Sequence, residues 1–138
     1  MKEKNKGFWV YSAPAIFYGI LVIIATGTPG SYIPSIGIEG LDKVVHFGMH
    51  FLFAMLVHRA LLYHANGTII KTQTLLLTVL FVSIFGIIIE WYQTFIPDRH
   101  PTIGDGVANI LGVIVYALLY TAGLSRIWPE RSIRVLRN

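Results

Sequence analysis

A polar stretch between two apolar segments contains the residues of this sequence that are best suited to chemistry. The stretch EWYQTFIPDRHPTIGD (90–105) begins with Glu90 and ends with Asp105. Carboxylates can act as general acids or bases or as ligands of a hard divalent cation, and Arg99 between them offers a planar fork for phosphate or carboxylate. Because acids are costly to bury without partners, their position between apolar segments predicts a polar site.

Polar residues and glycines recur at helical spacing around this stretch. Steps of three or four residues connect three groups: Asp42, His46 and His50; Gly86, Glu90 and Gln93; and Asp105, Asn109, Gly112 and Tyr116. Residues at such steps share one face of a helix. Since lipid cannot satisfy polar groups, the three faces are predicted to turn towards one another. The candidate partners of Glu90 are His46, Lys43, Arg99 and Gln93.

The composition indicates that the elements carrying these residues lie in a membrane. Of the 138 residues, 54% are hydrophobic and only 13% are charged, and the mean hydropathy is +0.63. A soluble domain carries about a quarter charged residues. The chain has no cysteine, which excludes a disulfide framework, a thiol nucleophile and a Cys-ligated zinc or iron–sulfur site.

Four segments are long and apolar enough to cross a bilayer, which takes about 20 mostly apolar residues. They cover about 8–26, 41–62, 74–96 and 105–127, and a basic tail follows at 128–138. Backbone groups in lipid must be satisfied within a segment, so these are predicted helices. We therefore expect one domain over 1–138 with an all-α, four-helix membrane bundle. A soluble protein with four buried helices is disfavoured, because no segment has a wide polar face. The first segment exceeds the apolar core of a signal peptide and is interpreted as a retained helix.

The distribution of lysine and arginine predicts the orientation in the cytoplasmic membrane. With the N-terminus inside, two basic residues fall on the outer side, Lys43 and Arg99. Nine fall on the inner side: Lys2, Lys4, Lys6, Arg59, Lys71, Arg126, Arg131, Arg134 and Arg137. The positive-inside rule then places both termini in the cytoplasm and the acidic stretch on the opposite face. The basic residues flank spans and do not indicate a nucleic-acid surface.

The ordered set of polar residues resembles the VanZ-like membrane proteins, a family named after a teicoplanin-resistance protein. The resemblance covers about residues 10–125. The matching residues are Asp42, Lys43, His46, Phe47, Glu90, Gln93, Phe95, Pro97, Arg99, Thr102, Asp105, Asn109 and Gly112. Thr102 stands where serine is common in the family, and His50 stands where an aromatic residue is common. The resemblance implies an envelope-facing membrane protein, linked in some members to glycopeptide or lipoglycopeptide tolerance.

The leading functional interpretation is an outward-facing pocket for an envelope lipid or a lipid-linked phosphate or carboxylate ligand. The predicted ligand-binding residues are Asp42, Lys43, His46, Glu90, Gln93, Arg99, Asp105 and Asn109. The predicted partners are the bilayer and a phospholipid or lipid-linked envelope precursor, with no nucleic acid. Homo-oligomerisation stays open.

Three other interpretations remain open from the residues alone. His46, Glu90 and Asp105 could be catalytic acid/base groups or ligands of a hard divalent metal, although no HExxH, GxSxG or phosphate-loop motif defines a reaction or a cofactor. The same residues could form a network that only fixes helix packing. Proton-coupled transport is disfavoured, because four helices without an internal repeat are few for a transporter.

Three lesser expectations concern residues outside this set. His58 and His64 are predicted to be interfacial residues, and Gly19, Gly86 and Gly112 are predicted to be close-packing positions. A further hypothesis places the loop TPGSYIPSIGIEG (28–40) along the outer interface as a cover over the polar site.

Overall fold

The computed structural model describes residues 7–33, 40–65 and 71–124, which form an antiparallel set of helices. The four long helices are α1 (Phe8–Thr26), α2 (Leu41–His64), α3 (Lys71–Gln93) and α4 (Ile103–Leu119). The first turn of α1 and the extension of α4 over Tyr120–Leu124 are π-helical. Within these ranges there is no strand, and all four helices are long and apolar enough to cross a membrane. The predicted all-helical fold with four apolar spans is therefore confirmed.

The connection between α3 and α4 differs from the predicted helix limits. The third helix was expected at 74–96, but α3 ends at Gln93 because the N–H groups of 94–96 donate to carbonyls only three residues back. Pro97 then prevents helix continuation. The fourth helix begins at Ile103, before the predicted 105, because Thr102 and Asp105 form a reciprocal capping box. Its predicted end near 127 lies outside the described residues.

The bundle is built around α2, which packs most extensively against α4 and also contacts α3 and α1. The apolar core is formed by residues of all four helices: Ala15, Phe53, Ala54, Val57, Val82, Val113, Tyr116 and Tyr120. Large apolar side chains such as Phe17, Ile24 and Ile87 remain exposed on the outside. An outer surface of this kind is what lipid, rather than water, accommodates.

Glycines set the distances between the helices, as the sequence predicted. A Cβ on Gly112 of α4 would overlap the backbone carbonyl oxygen of Phe47 on α2. A Cβ on Gly86 would lie 3.0 Å from His50 Nε2, and one on Gly19 would lie 3.3 Å from the Phe53 ring. Small residues allow membrane helices to approach closely, so these positions bring α1, α3 and α4 onto α2.

The prediction that His58 is interfacial is wrong, because His58 is fully buried between three helices. Its Nδ1 lies 2.7 Å from the Tyr116 hydroxyl and its Nε2 lies 3.3 Å from Thr74 Oγ1. His58 falls on the same helical face of α2 as His46 and His50, so it follows that face into the bundle. His64, at the end of α2, bonds to Ser12 of α1 through Nε2 at 2.7 Å.

Candidate functional site

The candidate site lies at the end of the bundle where α1 and α3 finish and α2 and α4 begin. At its centre is Glu90 of α3, which contacts one residue from each neighbouring helix. His46 Nδ1 of α2 lies 3.1 Å from Glu90 Oε1, and Asn109 Nδ2 of α4 donates to the same oxygen at 2.7 Å. His46 Nδ1 also lies 3.1 Å from Asn109 Oδ1. The predicted convergence of three polar helix faces is thus present.

The proton positions in this triad follow from what its neighbours can accept. A carboxylate oxygen and an amide oxygen accept hydrogen bonds and do not donate them. Because His46 Nδ1 faces one of each, on Glu90 and Asn109, it carries a proton and donates. Its other ring nitrogen, Nε2, is then the basic one in the neutral imidazole, as in other carboxylate-held histidines.

A second set of charges continues the cluster towards the end of the bundle. Lys43 Nζ lies 3.1 Å from Asp42 Oδ2 and 3.7 Å from Asp105 Oδ1. The Lys43 and Asp42 side chains are 46% and 54% exposed, whereas those of His46 and Glu90 are 10% and 14% exposed. The cluster therefore has an open rim and a buried floor.

Asp105 belongs both to the helix cap and to the cluster. Its Oδ2 accepts from the backbone N–H and the hydroxyl of Thr102, at 2.8 and 2.7 Å. Its Oδ1 faces Lys43 across 3.7 Å. The carboxylate thus satisfies donors at the start of α4, where negative charge is favoured, and presents its second oxygen to the cluster.

Three buried acceptor atoms at this end of the bundle have no hydrogen-bond donor among the described residues. They are Glu90 Oε2, Asp105 Oδ1 and His50 Nε2. His50 is 1% exposed and its Nδ1 lies 3.2 Å from the His46 carbonyl oxygen. Because a carbonyl only accepts, Nδ1 is the donor and Nε2 is left as an acceptor in the neutral ring. Buried polar atoms are almost always paired, so three together mark this place as unusual.

Arg99 and Gln93, also predicted to bind ligand, lie beside this group of atoms rather than within it. Arg99 Nε donates to the Thr28 carbonyl and Nη2 donates to the Ala25 carbonyl, both at 3.0 Å. Arg99 therefore satisfies carbonyls at the end of α1, which a helix leaves unpaired. Partial burial lowers the pKa of Arg99, and the negative charge of Glu90 opposes that shift. Gln93 is buried, at 3% exposure, at the end of α3.

We use the name Glu90 cluster for the residues that converge here: Asp42, Lys43, His46, His50, Glu90, Asp105 and Asn109. Of the candidate partners of Glu90, the structure brings His46 into contact. Asn109 had not been named as a partner, although its position on the facing stripe of α4 was the signal that could have indicated it. Nothing in the sequence showed that Arg99 would be directed at α1.

The cluster does not have the arrangement of a protein metal site. Among the residues that the structure describes, no group of three or more histidine or acidic side chains is placed to hold a metal ion. Glu90 Oε1 and His46 Nδ1 are engaged with each other. The metal-ligand interpretation of His46, Glu90 and Asp105 therefore has no support from their geometry.

Comparison with known proteins gives one match. The family model described as VanZ/LLP1 matches residues 4–126, which include all four helices and every residue of the Glu90 cluster. No curated protein and no solved structure matches the chain.

Proposed function

The chain belongs to the VanZ/LLP1 family, and from that premise we propose that its Glu90 cluster is a pocket for the polar headgroup of an envelope lipid or lipid-linked envelope precursor. Occupancy of the pocket would modulate the cell envelope and, with it, tolerance of lipoglycopeptides. The observation that carries the proposal is the Glu90 carboxylate, whose buried Oε2 has no donor among the described residues.

A network that served only to fix helix packing would be expected to satisfy its own members. An acid within a membrane span is costly, and such residues generally mark functional sites. Glu90 Oε1 accepts from Asn109 Nδ2 and faces His46 Nδ1 at 3.1 Å, while Oε2 has no donor among the described residues, so one half of the carboxylate is left for another donor. The half-exposed pair Asp42 and Lys43 gives a route to that oxygen from the headgroup level.

We propose that the pocket faces the outside of the cytoplasmic membrane, because most of the lysine and arginine lies on the opposite side of the spans. The chain has no cysteine, so single-cysteine variants report cleanly. His100→Cys, in the exposed α3–α4 connection, should react with a membrane-impermeant thiol reagent in intact cells. Asn66→Cys, between α2 and α3 in the sequence, should react only after lysis. The reverse pattern would overturn the orientation.

The pairing of His46 with Glu90 favours a second candidate, an acid/base enzyme acting on a lipid-linked substrate. A carboxylate that holds Nδ1 leaves Nε2 free to accept a proton, which is the arrangement of a general base. The two candidates separate on one observation: whether the purified chain changes the headgroup of a lipid with which it is incubated. Binding alone predicts an unchanged lipid.

Occupancy of the pocket can be tested by filling it without removing a polar partner. A Cβ on Gly106 would lie 3.9 Å from Glu90 Cγ, so Gly106→Leu should place an isobutyl group beside the carboxylate. Gly48 on α2 has no atom within 4 Å of its Cβ position, so Gly48→Leu is the matched control on the exposed side of the bundle.

We expect native mass spectrometry of the full chain, released from neutral detergent, to show one retained lipid on the wild type and on Gly48→Leu. Gly106→Leu should lose that lipid while it keeps its helical circular-dichroism spectrum. Equal retention by Gly106→Leu, or no retained lipid on any of the three proteins, would contradict the proposed pocket.

A further inference from the structure

The arrangement of donors and acceptors in the Glu90 cluster points to the chemical class of the ligand. We infer that the group entering the floor of the pocket is a primary ammonium, rather than the phosphate or carboxylate that Lys43 and Arg99 had suggested. The inference rests on the proposed function, because it specifies what the proposed pocket binds.

The cationic donors at this end of the bundle are partly engaged. Lys43 Nζ lies 3.1 Å from Asp42 and 3.7 Å from Asp105. Arg99 directs Nε and Nη2 at carbonyls at the end of α1, so the Nε–Nη2 edge of the guanidinium, which could hold an anion by two parallel bonds, is in use. An anion that binds that edge would have to displace these contacts.

The neutral donors of the floor are engaged as well. Asn109 Nδ2 donates to Glu90 Oε1 at 2.7 Å. His46 Nδ1 donates to Asn109 Oδ1 and faces Glu90 Oε1. His50 Nδ1 donates to the His46 carbonyl oxygen. A phosphate placed here would therefore find these donors already bonded to other acceptors.

The buried atoms at this end without a hydrogen-bond partner, by contrast, are acceptors. Glu90 Oε2 and His50 Nε2 have no donor among the described residues, and Asp105 Oδ1 has only the 3.7 Å contact with Lys43 Nζ. A primary ammonium supplies three donors and no acceptor, which complements such a set. Methylation of the nitrogen would remove those donors and keep the positive charge.

The three acceptors belong to neighbouring turns of α2, α3 and α4. Glu90 packs against the first turn of α4, since its Cγ is 3.9 Å from the Cβ position of Gly106, the neighbour of Asp105. His50 Nε2 is 3.0 Å from the Cβ position of Gly86, which precedes Glu90 by one turn of α3. Asp105 and Glu90 thus approach from the rim side and His50 from the floor side.

The balance of charge favours the same ligand. Asp42 and Asp105 face the ammonium of Lys43, Glu90 pairs with His46, and Arg99 feels the charge of Glu90. With His46 neutral, the three carboxylates exceed the two cations, Lys43 and Arg99, by one negative charge. Burying a second like charge is unfavourable, whereas a cation offsets the excess.

The test compares headgroups that differ only at nitrogen or in charge. The chain is delipidated in neutral detergent, and its melting temperature is measured with phosphatidylethanolamine, phosphatidylcholine or phosphatidylglycerol of identical acyl chains. Soluble glycerophosphoethanolamine distinguishes a free headgroup from a membrane lipid. We expect phosphatidylethanolamine to raise Tm, with an apparent affinity about 10-fold or more above that of phosphatidylcholine, a ratio that corresponds to losing hydrogen bonds to a charged group. Glu90→Gln should lose this preference, and Gly48→Ala should keep it.

Nitrogen NMR supplies a readout that does not depend on a variant. The ¹⁵N chemical shift of His50 Nε2 should move towards the value of an acceptor nitrogen that receives a hydrogen bond when phosphatidylethanolamine is added. It should stay unchanged when phosphatidylcholine is added. Stabilisation by phosphatidylglycerol in preference to phosphatidylethanolamine, or equal stabilisation by the ethanolamine and choline lipids, would overturn the ammonium inference and leave the lipid pocket standing. Stabilisation by none of the lipids would overturn the pocket as well.

Discussion

Gly112→Ala is expected to destabilise the contact between α2 and α4 strongly. The added Cβ would overlap the Phe47 carbonyl oxygen and lie 3.0 Å from the Phe51 backbone nitrogen. Both atoms belong to the backbone of α2, so relief requires the two most extensively packed helices to separate. Overpacking of this kind costs about 1–3 kcal/mol and sometimes more, and the rigid backbone contact places Gly112→Ala at the upper end.

Gly48→Ala is the matched control, since it makes the same change in the middle of a helix with no atom within 4 Å. Alanine is the better helix former by about 1 kcal/mol, so this variant should melt at or above the wild-type temperature. The measurement is thermal or denaturant unfolding of both variants in the same detergent. Indistinguishable stabilities would show that α2 and α4 are not in the contact described here.

Glu90→Gln and His46→Gln are expected to abolish the effect of the protein on lipoglycopeptide susceptibility. Glutamine preserves much of the shape of each side chain but removes the carboxylate charge or the imidazole that holds it at 3.1 Å. Because the two residues would act as one unit, the double variant should be no worse than either single variant. Additive partial losses would indicate two independent structural contributions.

Asp98→Asn is the control for these substitutions. It makes the same kind of carboxylate-to-amide change at the same end of the bundle, but in the exposed α3–α4 connection and outside the Glu90 cluster. Asp98 has φ 56°, a conformation that asparagine tolerates well. This variant should retain wild-type susceptibility, and loss of function in it would mean that charge at this face, rather than the cluster, is what matters.

Most of the fold was predictable because membrane spans depend on simple physical requirements. Length and apolarity marked the four helices, and the steps from Asp42 to His46 and from Asp105 to Asn109 marked the faces that converge. The capping box at Thr102 places the start of α4 only about half a turn before the predicted start at 105. These features depend on the sequence within one segment, where periodicity is informative.

The differences from the sequence concern contacts between segments. The ligand-binding role of Arg99 stays a prediction. Two of its donors bind backbone carbonyls of α1, a contact that the sequence did not indicate because such acceptors are present at every helix end. His58 was expected at the interface, but the helical face that it shares with His46 continues into the bundle. The proposed cover at 28–40 falls partly outside the described residues; Gly30, within them, donates its N–H to the Pro97 carbonyl at 3.1 Å.

The chemical class of the proposed ligand is what the sequence indicated least. The sequence shows which charged residues are near the membrane face, and this favoured an anion for Lys43 and Arg99. It does not show which donors are already used. The pairing of Lys43 with Asp42 and Asp105, together with the unpaired His50 Nε2, is the reason for proposing a cation instead of an anion.

The central claim, that the Glu90 carboxylate is kept for a ligand and not for packing, is tested most directly by the melting temperature of delipidated Glu90→Gln. A glutamine can still accept from His46 and removes a charge and an unpaired oxygen from a membrane span. We therefore expect a Tm equal to or above that of the delipidated wild type, as where function is maintained at some cost in stability. A Tm lower by more than about 5 °C, a drop of order 1 kcal/mol or more in stability, would show that the carboxylate holds the helices together and would contradict the claim.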